Sequence, residues 1–81
     1  MTAAEARRLR DQAVRNAVCR AREFMAAEEL GRGPEMRETL RAAAENAFAA
    51  YDAAVDAVIE AERVEMKEML GRNSYDGRRA S

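Results

Sequence analysis

Glu60, Glu62, Glu65 and Glu68 are the densest group of chemistry-bearing side chains in the sequence. Glu62, Glu65 and Glu68 recur at three-residue intervals, which on a helix sets carboxylates on neighbouring turns. Di-iron bundles use inward carboxylates of this kind but add a Glu-x-x-His from another helix, and the chain has no His. Calcium loops need an Asp/Asn-rich turn with a Gly, which this run lacks. The four glutamates therefore read as a solvated helical face open to a basic partner. Cys19 stands beside Arg20 and Arg22, whose charges favour a thiolate. A redox role wants a resolving Cys or a His, and a lone Cys without His supplies neither a disulfide nor the usual zinc sites. Ser-His-Asp and Cys-His nucleophile systems are ruled out for the same reason. Gly31-Arg32-Gly33 lacks the Lys-Ser/Thr ending of a phosphate loop, and glycosidase carboxylates need a cleft that two helices do not make. No catalytic, cofactor-binding or metal-ligating residue is assigned, and the expectation is a protein that is not an enzyme.

The elements that carry these residues are easier to read. Thr2-Ala-Ala-Glu5 has capping-box spacing: the hydroxyl accepts the N3 amide, and the Glu carboxylate can reach back to the cap amide. Strong helix formers follow without interruption to Leu30. Gly31-Arg32-Gly33-Pro34 offers a Gly for a left-handed C′ residue and a Pro for the first turn of the next helix. No further Gly or Pro occurs until Gly71, a second C′ candidate. The sequence thus predicts an all-α fold: an antiparallel two-helix hairpin with helices over about 3–30 and 34–70. Residues 1–72 form the domain and 73–81 a flexible tail, with a break in the second helix as the competing arrangement.

Apolar spacing predicts the packing. In helix 1, Ala6, Leu9, Ala13, Val14, Ala17, Val18, Ala21, Phe24 and Met25 share one broad face. In helix 2, Met36, Leu40, Ala43, Ala47, Ala50, Ala54, Ala57, Ala61 and Val64 follow the four-three alternation of a coiled-coil seam. Phe48, Tyr51, Val55, Val58 and Ile59 border that seam. With a loop centred near residue 32, facing residues have numbers totalling about 65, which sets Arg7 and Arg8 beside Val58, Glu60 and Glu62. Residues beyond about 62 then have no partner in helix 1. Ile59, Val64, Met66, Met69 and Leu70 are expected to form an apolar strip there, flanked by the four glutamates. Met is soft and adaptable and suits such a binding surface.

An 81-residue chain of this kind has one domain and a marginal core unless something completes it. Dimerisation or a protein partner would do so. Net charge is −1, but residues 1–33 hold seven Arg and five acids while 34–70 hold four cations and nine acids. Opposed halves of one hairpin account for much of that segregation. Direct nucleic-acid binding through the Arg-rich first helix is a weaker reading, because the pI is near 5.5 and no aromatics interleave the arginines. The longest apolar runs are too short to span a bilayer, and no secretory h-region is visible, so a cytoplasmic protein is expected. The functional expectation is a small helical module that binds another protein. By analogy with small phage and mobile-element proteins, it would be an inhibitor of a host complex, resembling inhibitors of CRISPR effectors. Its acidic face would occupy a basic channel, or its strip would block a subunit. The alternative is a self-assembling scaffold hairpin that forms a dimeric bundle.

Overall fold

The computed structural model describes the backbone of residues 1–80 and the side chains of residues 1–71. Two helices, α1 (Ala3–Glu29) and α2 (Pro34–Ala80), form an antiparallel hairpin measuring 72 × 16 × 13 Å. The long dimension is that of α2 alone, since its 47 residues at about 1.5 Å rise reach about 70 Å. α2 is unbroken, so the three-helix arrangement does not occur. Gly71 was expected to end the helix, yet it lacks the positive φ of a C′ residue and α2 continues to Ala80. A helical Gly costs only about 1 kcal/mol relative to Ala, too little to stop a long helix unaided. The loose tail expected over 73–81, Tyr75 included, lies outside the residues whose side chains are described.

The turn follows from its residues. Arg32 N–H donates to Ala27 O at 3.0 Å and Gly31 N–H to Glu28 O at 3.1 Å, the two bonds of a Schellman motif. Gly31 sits at φ +64°, where a side chain is strained, although the space around it is empty. Gly33 O then accepts from Arg37 N–H, opening α2 behind Pro34.

At the other end of α1 the Thr2 hydroxyl accepts from Glu5 N–H at 3.2 Å, the expected half of a capping box. A second acceptor comes from elsewhere: Ala3 N–H donates to Glu65 Oε1 at 2.9 Å. Arg7 and Glu62 pair nearby at 3.2 Å. The numbers of these two pairs total 68 and 69, about three more than the loop-centred estimate. α2 therefore begins past the end of α1, and every residue from 28 to 39 is exposed.

That shift decides which side chains are inside. The buried residues are Ala3, Ala6, Ala17, Ala27, Ala44, Ala47 and Val58. Arg10, Ala13, Ala21, Phe24, Leu40, Tyr51, Ala54 and Ala61 are half-buried. The α2 seam runs through Ala44, Ala47, Tyr51, Ala54, Val58 and Ala61. It keeps Ala47, Ala54 and Ala61 of the expected seam but takes Ala44, Tyr51 and Val58 in place of Ala43, Ala50 and Ala57, and Met36, Ala50 and Val64 are exposed. On α1 the exposed members of the expected face are Leu9, Val18 and Met25. The core is a column of methyl groups with one valine, and among the described residues no large side chain is fully buried.

Candidate functional site

The four carboxylates at the open end do not form one surface. Glu65 caps the N-terminus of α1, where a negative charge meets the positive end of the helix dipole. Glu62 is held by Arg7, and Glu60 lies 3.5 Å from Arg63 one turn away. Of the four, only Glu68 has neither an ion pair nor a hydrogen bond among the described residues. Ala3 and Glu65 also extend α1's cover three residues beyond the limit of about 62.

The apolar members divide in the same way. Met66, Met69 and Leu70 lie past the start of α1 and are 62%, 61% and 58% exposed. Ile59 is exposed within the two-helix region. Val64 belongs elsewhere: at about 100° per residue it points well over 120° away from both Ile59 and Met66. It lines a shallow hollow with Met1, Ala57, Glu60 and Ala61. The expected five-residue strip is thus a line of Ile59, Met66 and Leu70, with Met69 beside it and Val64 excluded.

A longer apolar surface lies along the flank of the hairpin. Arg7, Val14, Val18 and Met25 follow seven-four-seven spacing and so form one line on α1. Phe48, Val55, Ile59, Glu62 and Met66 form one line on α2 by the same rule. Arg7 pairs with Glu62, so the two lines face the same side. Val18, Met25, Phe48 and Ile59 are exposed, and Val14 and Val55 half-buried. Sequence reasoning assigned Val14, Val18 and Met25 to the seam and Phe48 to its border. The second heptad line was the signal that they make a face of their own.

Charge on the outer surface is only partly neutralised. Arg7–Glu62 is the one ion pair between the helices among the described residues. The others, such as Arg20–Glu23 and Arg41–Glu38, lie within one helix. Hydrogen bonding from Glu38, then the charges of Glu38 and Glu45, raise the Arg41 pKa above its usual value. Cys19 is exposed. Among the described residues, no three His, Cys, Asp or Glu side chains cluster as a metal site, and no helix is long and apolar enough to cross a membrane. Comparison with known families, curated proteins and solved structures finds no match.

Proposed function

We propose that this hairpin is a non-enzymatic protein-binding module whose working surface is the stretch of α2 that outruns α1. One observation carries the reading: Met66, Met69 and Leu70 are all more than half exposed on a helix that has lost its neighbour. Large apolar side chains grouped this way mark contact surfaces more often than solvent-facing ones, and Met adapts its shape to a partner. One form of such a module is an inhibitor that wedges this strip against a subunit of a larger complex. Glu68 is the acidic residue left free to steer it, since Glu60, Glu62 and Glu65 are engaged within the hairpin.

The test is affinity capture from the native host with wild type and a Met66→Glu/Met69→Glu variant of unchanged helicity. Wild type should retain a protein at fixed stoichiometry that the variant loses. Equal recovery by both would refute the reading.

Nucleic-acid binding has one observation in its favour. Arg8, Arg15 and Arg22 recur every seven residues and make no ion pair among the described residues. Such a line can contact phosphates, and its binding would weaken steeply with salt. Anisotropy with duplex DNA at two salt concentrations decides it, and a signal independent of protein concentration removes this reading.

A further inference from the structure

We propose that the flank bearing Val14, Val18, Met25, Phe48, Val55 and Ile59 is covered by a second copy of this chain, with α1 of each copy lying along α2 of the other. This goes beyond the overhang reading and uses different residues. The case rests on area, symmetry and charge.

The chain exposes 6464 Å². A compact protein of this mass exposes about 4,800 Å². The overhang of α2 and the exposed flank both contribute to the difference. A standard interface removes about 800 Å² from each partner, so the excess accommodates one. The interior is too thin to make that surface dispensable, since the buried side chains among the described residues are six alanines and one valine. A second hairpin laid on the flank would convert this single seam into the core of a four-helix bundle.

Symmetry favours a copy over an unrelated chain. Both helices supply apolar residues to the flank, and at its middle they do so at matching heights. The pairs Ala3–Glu65 and Arg7–Glu62 set the heights, so Val14 stands level with about residue 54 and Val18 with about residue 50. A two-fold axis parallel to the hairpin keeps every height unchanged and exchanges left for right. It lays Val14 on Val55 of the second copy and Val18 between Phe48 and Tyr51 of the second copy. Each of these contacts occurs twice, as a self-complementary interface requires.

Charge selects this axis over the perpendicular one. Residues 34–70 of α2 carry nine acids and four cations, whereas α1 carries six Arg and five acids. The perpendicular axis would stack α2 on α2 and set two acidic helices together. The parallel axis puts each acidic α2 against an α1 with a slight positive excess. It also brings Arg7 of one copy near Glu62 of the other, so the existing pair becomes part of a four-membered ring of alternating charge.

Sedimentation equilibrium at micromolar concentration should give a particle of twice the 9.0 kDa chain mass, and a monomer throughout would overturn the proposal. Val18→Glu/Val55→Glu should weaken self-association by a factor of about 100 or more, as expected for charges placed in an interface centre. Leu9→Glu, on the opposite flank and 46% exposed, should leave it intact. A dimer indifferent to the first variant would overturn the choice of face. The helix pairing is read by mild oxidation of an equal mixture of Val14→Cys and Val55→Cys chains, both carrying Cys19→Ala. Cross-linked product should be the mixed species, and a product dominated by Val55→Cys joined to itself would overturn the arrangement. Met66→Glu/Met69→Glu should remain dimeric, so failure of this proposal and failure of the overhang reading are separable.

Discussion

Glu65 offers the sharpest test of how the hairpin is held, because its role is neither local nor generic. Its carboxylate accepts from Ala3 N–H at 2.9 Å in a part-buried setting. Glu65→Ala leaves that amide, on a residue only 1% exposed, with little access to water. A hydrogen bond to a charged group contributes about 1.5–3 kcal/mol net, and a carboxylate at a helix N-terminus about 0.3–1 kcal/mol. These describe overlapping parts of one contact, and partial solvent exposure reduces both, so the expected loss is about 1.5 kcal/mol. For a domain of this size that corresponds to a fall of about 6–12 °C in Tm. Glu65→Gln keeps an acceptor without the charge and should lose about half as much. Glu62→Ala, three residues away, removes an exposed ion pair that contributes at most about 1 kcal/mol. Urea titrations followed by circular dichroism, all at one protein concentration, would rank the three. Glu65→Ala falling no lower than Glu62→Ala would refute the inter-helix cap.

The turn and seam give further expectations. Gly31→Ala should cost about 1 kcal/mol through its positive φ alone, since nothing lies within 4 Å of the added methyl; Gly33→Ala, without that φ, should cost less in the same urea titration. Val58→Ala removes the largest buried side chain and should lower stability by about 2 kcal/mol, measured as a reduced midpoint with unchanged slope. Ala47→Leu forces an oversized side chain into the buried seam and should destabilise by about 1–3 kcal/mol, whereas Ala49→Leu on the exposed side should be nearly neutral.

The hairpin, its turn and the Thr2 cap were legible because each is announced locally, by a hydroxyl three residues before an amide or by a Gly followed closely by Pro. The orientation of α2 about its own axis was not. Ala43 and Ala44 are alike, and beside Ala50 and Ala57 stand Tyr51 and Val58, so two apolar seams share Ala47, Ala54 and Ala61 and differ only at the alternate turns. Contact with α1 breaks the tie in favour of Ala44, Tyr51 and Val58, and it does so through a register that no local pattern fixes. The same register explains the site residues. Glu65 joins Ala3 across 62 positions of sequence, so its carboxylate looked free for a partner. Val64 fell into the strip because it lies beyond residue 62, although its direction on the helix differs from that of Ile59 and Met66. Met66, Met69 and Leu70 were read correctly as exposed because the unequal lengths of the helices alone require it.

The two surfaces are linked by geometry. An axis parallel to the hairpin leaves both copies pointing the same way, so both α2 overhangs would project from one end of the bundle. The perpendicular axis would send them to opposite ends. Only the first arrangement brings two sets of Met66, Met69 and Leu70 within reach of a single partner. Two weak apolar contacts joined in this way act with a raised effective concentration and need no new interaction to gain affinity. One such strip at the end of a thin helix buries less area against a partner than two side by side. In the proposed four-helix bundle, doubling the strip at one end would raise the area offered to a partner.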